Sequence, residues 1–123
     1  MLPPDPDASA RRLSAALEAP LGFAPPVIIT DSFGRAWRNG IINVAIGAAG
    51  LETLIDYRGQ YDPYGYLMSA SMLAVGDELA SAAELVMGKV AQRPLAVVRG
   101  YAWRPSDAGA RPLLMPPERD MFR

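Results

Sequence analysis

Proline and glycine divide this chain into short apolar runs, and this division limits the possible folds more than any other feature of the sequence. Prolines at positions 3, 4 and 6 precede the first run, and Pro20, Gly22 and the Pro25-Pro26 pair separate it from the second. Because proline fits poorly inside a helix or a central strand, such clusters bracket elements rather than interrupt them. The chain therefore favours several short elements joined by defined turns.

Two of the segments have the spacing of helices. The first is predicted to be helical over residues 8–18, with Asp7 as its N-cap, because apolar residues recur at i, i+3 and i+4. The second is predicted over residues 77–87, where the apolar positions share one face and the acids lie off it. Gly88 is placed to end this second helix.

The remaining apolar runs predict four strands: Val27–Thr30, Ile41–Ile46, Leu67–Leu73 and Leu95–Arg99. Residues 51–66 lack periodicity but hold several tyrosines, which predicts a structured loop that packs on something. The 123 residues suit one domain over residues 1–123, with extended termini at 1–6 and 104–123. The predicted fold class is α+β, with a mixed or antiparallel sheet of about four strands and two main helices.

The charge and the missing residue types limit the chemistry. Twelve basic residues against thirteen acidic ones give a net charge of −1, so no global field steers the chain to nucleic acid or to an anionic membrane. The sequence has neither cysteine nor histidine. The absence of cysteine excludes thiolate nucleophiles, and the absence of histidine excludes the commonest general base and the commonest transition-metal ligand. Chemistry would run on carboxylates, hydroxyls, Lys and Arg, which suits Mg²⁺ or Mn²⁺.

The chain shows no pattern of export or membrane insertion. Its first residues lack a basic region followed by an apolar one, and no apolar run approaches the roughly 20 residues that cross a bilayer. We therefore expect a cytoplasmic protein with neither a membrane nor a nucleic acid as partner.

The stretch VIITDSFGRAWRNG, residues 27–40, holds the best candidates for a site. Asp31 and Ser32 follow an apolar strand, where a carboxylate and a hydroxyl can ligate a hard cation, and Arg35 and Arg38 can reach phosphate oxygens. A turn with solvated charges explains the same residues. Local spacing favours the turn, and it leaves the metal site open.

Other polar groups admit simple structural explanations beside functional ones. Asp56, Arg58 and Asp62 fit a surface ion pair. Lys89 follows the second helix, where a cation complements the helix dipole, although it can also meet a phosphate. The tyrosines of the loop fit either a platform for a ring-bearing ligand or the cover of a core or subunit interface.

Several phrases in order resemble one known family: VIITDSFGRAWRNG, NVAIGAAGL, DYRGQYDPYG, DELASAAELVMGK, PLAVVRG and RPLLMPPERDMFR. Together they look like the carboxyl-terminal half of the coenzyme F420-0:L-glutamate ligase (F420 gamma-glutamyl ligase) family, from about Pro4 to Arg123. The resemblance implies an enzyme that uses GTP and Mg²⁺ or Mn²⁺ to join L-glutamate to the carboxylate of F420-0 through an amide bond.

The resemblance also implies roles for particular residues. Asp31 and Ser32 match the family's metal ligands, and the segment Met87, Gly88 and Lys89 looks like part of its nucleotide-contacting segment. At the position of Lys89 the family can have a residue whose amide or acid oxygen is a metal ligand. Lys89 has no such oxygen, so its ammonium would instead contact a phosphate as a point charge. Arg35 and Arg38 are further candidate phosphate contacts. No catalytic side chain is assigned.

Members of this family are longer than this chain, and their amino-terminal half supplies further nucleotide contacts and a metal-binding acid. The resemblance therefore implies a ligase half that is completed by a separately encoded amino-terminal polypeptide, or whose amino-terminal half is lost to truncation. The alternative is a non-catalytic oligomeric binding module that keeps the fold. Since the loss of half an enzyme exposes apolar surface, we also expect a homo-oligomer, most simply a dimer.

Overall fold

The structure, a computed structural model, describes residues 2–120. Two α-helices and four strands make up its regular elements, and two 3-10 helices follow near the carboxyl terminus: α1 Pro6–Leu21, β1 Val27–Gly34, β2 Ile41–Ala49, β3 Ile55–Asp56, β4 Met72–Leu73, α2 Val75–Met87, and the 3-10 helices Arg111–Leu113 and Pro117–Arg119. The predicted α+β class, with four strands and two main helices, is confirmed. The strands form two separate antiparallel pairs, β1–β2 and β3–β4.

Helix α1 begins two residues earlier than its sequence pattern predicts. Asp5 is the N-cap, and its carboxylate accepts a hydrogen bond from the amide of Ala8 at 2.8 Å. The prediction of Asp7 as the cap was wrong because Pro6 fits the first helical position, where no amide hydrogen is needed, and so moves the cap to the residue before it. The helix extends past Pro20 and ends at Gly22, which has a left-handed φ of 77°.

The hairpin of β1 and β2 is the centre of the fold. A bulge lies in its register, since Ile29 pairs with Gly47 but Thr30 pairs with Ala45. The extra residue puts Ala45 and Gly47 on opposite faces. Helix α2 approaches Ala45 through Gly76, and α1 approaches Gly47 through Pro6. Strand β2 is thus covered by α2 on one face and by α1 on the other.

The bulge also explains an acid at the start of α2. Asp77 lies in the first turn of that helix, where its charge suits the dipole. Its carboxylate in addition accepts a hydrogen bond from the amide of Ala45 at 2.9 Å. The helix and the irregular point of the sheet are therefore joined by one side chain.

Strand β1 continues four residues beyond the predicted strand end. Residues 31–34 pair with residues 41–44 of β2, so Asp31 and Ser32 lie inside a strand and not at its carboxyl end. The predicted strand end is too early because the apolar run stops at Thr30, whereas pairing with β2 holds the polar residues that follow in the strand.

Residues 55–73 form an irregular hairpin, which replaces most of the predicted structured loop (residues 51–66) and the predicted third strand. Beyond β3 and β4 its two arms are joined by backbone bonds such as Gly59 N to Met68 O at 2.9 Å, and a turn at residues 62–65 closes it. The predicted strand Leu67–Leu73 is reduced to β4. Three of its tyrosines, at positions 61, 64 and 66, are exposed rather than packed on the described chain.

The strand predicted at Leu95–Arg99 does not form. Within residues 2–120, no backbone hydrogen bond joins residues 95–103 to another residue, because no strand of the chain lies beside them. Leu95 and Val97 are each 70% exposed. This segment has no regular secondary structure although it carries the side chains of a strand, and it has no neighbouring strand within the described chain.

The carboxyl-terminal segment also departs from its prediction. Instead of an extended terminus over 104–123, it holds the two 3-10 helices, and Gly109 and Ala110 are buried. The hydroxyl of buried Thr53 donates to the carbonyl of Gly109 at 2.8 Å, which fixes this segment on the core. Residue 1 and residues 121–123, which the predicted termini include, lie outside the described residues.

The core of the chain is small for its mass. Its buried cluster consists of Ala48, Leu51 and Ala110, with Ile28, Leu79 and Leu113 packed against it. The chain exposes 9335 Å², whereas a compact monomer of 13.2 kDa exposes about 6,400 Å². The chain therefore leaves uncovered a large surface that folded monomers bury. Within residues 2–120, no helix is both long enough and apolar enough to cross a bilayer.

Candidate functional site

Ser32 and Lys89, two residues with predicted site roles, meet in the structure although 57 positions separate them in the chain. The ammonium of Lys89 donates to the hydroxyl oxygen of Ser32. Strand β1 supplies Ser32, and the residue after the end of α2 supplies Lys89. The packing of α2 on the hairpin therefore brings the segment predicted to contact the nucleotide onto one of the two predicted metal ligands.

A chain of polar side chains continues from Ser32 into the hairpin. Its hydroxyl donates to Oδ1 of buried Asn43 at 3.4 Å, and Nδ2 of Asn43 donates to the hydroxyl of Thr30 at the same distance. Ser81 of α2 donates to the backbone carbonyl of Asn43 at 2.9 Å. The Ser32 proton thus points toward Asn43, which leaves the oxygen lone pairs for Lys89.

Lys89 has a second partner on its own side of the site. Its ammonium lies 3.0 Å from Oε1 of Glu84, whose side chain is 17% exposed against 49% for Lys89. Gly88, the C-cap of α2, has a φ of 63° that favours glycine, and it turns the chain so that Lys89 returns alongside the helix. One positive centre therefore joins an acid of α2 to a hydroxyl of β1.

Asp31 lies on the other face of the strand. Consecutive strand residues point to opposite faces, so Asp31 and Ser32 cannot offer their side-chain oxygens to one ion. The Asp31 side chain is half-buried, and within residues 2–120 it makes no hydrogen bond or ion pair. It is neither turned into bulk solvent nor neutralised by a neighbouring cation.

The donors present do not fit a resident divalent cation shared by Asp31 and Ser32. Among the described residues, no group of three or more His, Cys, Asp or Glu side chains converges as metal ligands would. The side chain of Asp31 can offer one oxygen to a cation that a bound ligand carries. Ser32 already has an ammonium group beside it. The metal roles of the two residues stay predictions, and the geometry separates them.

Arg35 and Arg38 are not brought to the contact between Ser32 and Lys89. Both are exposed in the connection between β1 and β2, and neither side chain bonds to another residue of the described chain. Their predicted phosphate contacts stay predictions. A hairpin connection can bring them to a ligand only if that ligand reaches beyond the end of the sheet.

The segment after α2 borders an open groove of about 340 Å³, which is lined by Gly88, Lys89, Gln92, Arg93 and Pro94. Arg93 donates to the carbonyl of Val86 at 3.2 Å, which holds the segment against the end of α2. Met87 is the last residue of the helix. Two cationic side chains therefore face one groove beside the polar chain that begins at Ser32.

Comparison with known proteins identifies the family to which the chain belongs. A model of the F420-0:gamma-glutamyl ligase family matches residues 1–100 of the chain. The chain belongs to the F420-0:gamma-glutamyl ligase family. The coenzyme F420:L-glutamate ligase of Methanothermobacter thermautotrophicus is 45% identical over 125 aligned residues, and that of Methanopyrus kandleri is 44% identical over 130. The corresponding protein of Methanocaldococcus jannaschii is 37% identical over 124.

The chain spans about half the length of the curated relatives that it matches. These alignments cover 99% to 100% of this chain but only 50% to 51% of each relative. The coverage agrees with the predicted resemblance to one half of the family's chain. The activity, substrates and partners of the relatives therefore belong to a longer polypeptide than this one.

Sequence reasoning missed three members of the site, namely Asn43, Ser81 and Glu84. Asn43 is a polar residue inside the apolar run IINVAIG, and such a residue in a strand signals an inward hydrogen bond. Glu84 was placed off the apolar face of the second helix, and it carried no further signal. Glu84 pairs with Lys89 because the turn at Gly88 brings Lys89 back beside the helix. The sequence pattern alone does not predict the direction of that turn.

Away from this site, Asp56 and Arg58 form the surface ion pair that their spacing predicts. Arg58 Nη2 lies 2.5 Å from Asp56 Oδ2. Hydrogen bonds from the Arg58 side chain and backbone amide lower the pKa of Asp56 to about 2, and the same contact raises the pKa of Arg58. Folding lowers the pKa of Asp56. The ionised Asp56 carboxylate therefore stabilises the fold at pH values above 3.8, and this stabilisation is lost as the pH falls toward 2.

We expect the Arg58→Ala variant to raise the pKa of Asp56 part of the way from about 2 toward 3.8, since the side-chain donors that lower it most are lost while the backbone amide of residue 58 still donates to the carboxylate. The pKa is measured by NMR titration of the carboxyl carbon. Arg11→Ala, on the exposed face of α1, serves as the charge-matched control and should leave this pKa unchanged. An Asp56 pKa that stays near 2 in Arg58→Ala would show that another group depresses it.

Proposed function

We propose that this chain is the carboxyl-terminal part of a GTP- and divalent-metal-dependent ligase that joins L-glutamate to coenzyme F420-0 through an amide bond. The relatives are named coenzyme F420:L-glutamate ligases, and they support the reaction class. The observation that carries the proposal is the meeting of Lys89 with Ser32. It puts a cationic segment on a strand of the hairpin, where the phosphates of a nucleotide can be held.

The proposed reaction has two steps. A carboxylate oxygen of F420-0 attacks the terminal phosphorus of GTP, the bond from that phosphorus to the GDP oxygen breaks, and an acyl phosphate forms. The amine of glutamate then attacks the acyl carbon, a carbon–nitrogen bond forms, and the bond from carbon to the phosphate oxygen breaks. The amine loses a proton to solvent, and inorganic phosphate leaves. Catalysis of such transfers rests on positioning and charge stabilisation.

The residues of this chain would contribute binding and orientation. Lys89 and the exposed arginines 35 and 38 would neutralise phosphate oxygens, and the Met87–Lys89 segment would lie along the nucleotide. Asp31 would give one carboxylate oxygen to the Mg²⁺ or Mn²⁺ that accompanies GTP. The remaining contacts would come from the half of the relatives that this chain does not span. A cytoplasmic setting is part of this proposal, and the absence of cysteine is compatible with it.

The test is reconstitution of the reaction. The chain is mixed with a polypeptide that corresponds to the half of the relatives that it does not span, and with GTP, Mn²⁺, F420-0 and L-glutamate. We expect the glutamylated product by mass spectrometry. Asp31→Asn should lower kcat by about 100-fold, because a charged ligand of the phosphate-bound ion is lost. Asp107→Asn, an exposed acid outside the site, is the matched control, and absence of product in every pairing would contradict the proposal.

We also propose that the chain associates through surface that it leaves uncovered. Its accessible area exceeds that of a compact monomer by about 2,900 Å², which is more than the roughly 1,000–2,500 Å² that each partner buries in a permanent interface of about 2,000–5,000 Å² in total. Many of the exposed apolar side chains lie in the unpaired segment 95–103 and in the irregular hairpin of residues 55–73. A segment of this kind, with its backbone groups unpaired within residues 2–120, can join a sheet of another chain.

The proposed association is tested by measuring the oligomeric state of the chain. Light scattering with size exclusion should show a dimer or higher oligomer of the chain alone, because isolated apolar surface of this extent favours self-association. Leu95→Lys with Val97→Lys should shift the population toward monomer, since charges on an edge segment oppose pairing. Lys substitutions at Arg11 and Arg12 of α1 serve as controls. A strictly monomeric wild type at high concentration would refute this prediction.

One observation favours the second candidate function, a non-catalytic oligomeric binding module. Within residues 2–120, no group of three or more Asp, Glu, His or Cys side chains converges on a metal position. Calorimetric titration of the chain with GTP, with and without Mn²⁺, separates the two candidates. Tight binding that depends on Mn²⁺ favours the ligase half, whereas weak binding that ignores the metal favours the module.

A further inference from the structure

The ammonium of Lys89 occupies the position that a cation beside Ser32 would take. Two oxygen atoms from different elements converge on it: the hydroxyl of Ser32 from β1 and Oε1 of Glu84 from α2, the latter at 3.0 Å. A carboxylate and a hydroxyl oxygen that meet at one point are the donors that a hard divalent cation prefers. Here the positive charge at that point belongs to the chain itself.

The neighbouring groups hold the ammonium in place from both sides. Ser32 directs its proton to Asn43, so its lone pairs remain available to a positive group. Glu84 is mostly buried on the opposite side, where its charge needs a partner. The turn at Gly88 brings Lys89 back toward both oxygens. Ser32, Glu84 and Lys89 together therefore satisfy one another without a metal ion.

We propose that Lys89 is a tethered cation that replaces a divalent metal ion beside Ser32. This inference rests on the proposed function, because the ammonium would then supply to nucleotide phosphates the charge that a metal at this position would supply. A second positive centre cannot settle within about 3–4 Å of the ammonium without strong repulsion. The chain accordingly has no divalent cation at Ser32, and the Asp31 face is left as the place where a nucleotide-borne ion can bind.

The test counts bound Mn²⁺ on the full chain without nucleotide, by equilibrium dialysis and by electron paramagnetic resonance. Lys89→Gln removes the charge and frees both Ser32 and Glu84, and we expect it to bind one Mn²⁺ about tenfold or more tightly than the wild type does. The double variant Lys89→Gln with Ser32→Ala should lose this gain. Lys89→Arg, which keeps the charge, should bind Mn²⁺ as the wild type does.

A matched control separates the local effect from a change of net charge. Arg93→Gln removes a neighbouring positive charge, but Arg93 contacts the carbonyl of Val86 rather than Ser32 or Glu84. It should leave Mn²⁺ binding unchanged. Lys89→Asn is a second variant with the same expectation as Lys89→Gln, and circular dichroism confirms that each variant keeps the helical signal. No gain of Mn²⁺ in either folded variant overturns the proposal.

The result can be distinguished from failure of the ligase proposal. The Mn²⁺ count needs neither nucleotide nor F420-0, so a gain in Lys89→Gln without turnover in any reconstitution supports the tethered cation and contradicts only the ligase. Conversely, wild-type chain that loses a bound Mn²⁺ on Ser32→Ala substitution would show a metal already at Ser32. That outcome would overturn the tethered cation whether or not the chain has ligase activity.

Discussion

Asp7→Ala is expected to lower the free energy of unfolding by about 3 kcal/mol or more, since each buried donor left unsatisfied costs about 1–3 kcal/mol. The Oδ1 atom of Asp7 accepts two backbone hydrogen bonds, from Ala48 at 2.8 Å and from Ala110 at 3.0 Å. Ala48 and Ala110 are 1% and 6% exposed. One carboxylate therefore joins α1, the end of β2 and the carboxyl-terminal segment.

The control for Asp7→Ala lies in the same helical turn. Asp5→Ala removes the N-cap bond to Ala8, and such a change costs about 1 kcal/mol. Asp7→Asn should fall between the two, because its amide oxygen still accepts the bonds but without charge. Chemical denaturation at one fixed protein concentration gives the three values, since association would otherwise alter them. An Asp7→Ala cost no larger than that of Asp5→Ala would contradict the assigned role.

Gly47→Ala is expected to destabilise the fold by about 3 kcal/mol, at the upper end of the usual cost of overpacking. A Cβ at Gly47 would lie 2.4 Å from the backbone carbonyl carbon of Pro6 and 2.5 Å from its oxygen. These are main-chain atoms at the start of α1, so they cannot rotate away as a side chain would. The helix would have to move off β2, and the bonds of Asp7 would lengthen with it.

Gly34→Ala is the matched control for Gly47→Ala. Gly34 lies in the partner strand β1, and a Cβ there would have no atom within 4 Å. It has no left-handed φ, so alanine should be neutral or slightly stabilising. Denaturant unfolding of both variants compares them directly. Equal stabilities would show that α1 does not pack against Gly47 as closely as the structure indicates.

Parts of the fold and site followed from local sequence patterns. The apolar spacing and the positions of proline and glycine predicted both helices and the two main strands, because such patterns act on the nearest residues; the pairing of the strands into a hairpin came from the structure. The phrase order indicated the family, which the match over residues 1–100 confirms. The surface pair of Asp56 and Arg58 also followed from spacing alone, since the two side chains are only two residues apart.

Other parts needed the folded chain. The extension of β1 through Asp31 and Ser32 depended on pairing with residues 43 and 44. The strand predicted at Leu95–Arg99 has the composition of a strand, but within residues 2–120 no other strand bonds to it. Both outcomes reflect one cause, since a strand is stable only when another strand supplies its hydrogen bonds.

The sequence by itself determined which elements form near their own residues, which chemistry the side chains permit, and which family the chain resembles. The tertiary structure alone decided that Ser32 and Lys89 meet, that Glu84 completes their contact, and that Asp31 faces away from them. Local patterns extend over a few residues, because helix turns and strand alternation repeat at that distance. Contacts across 57 positions depend on how α2 packs on the hairpin, and only the folded chain fixes that packing.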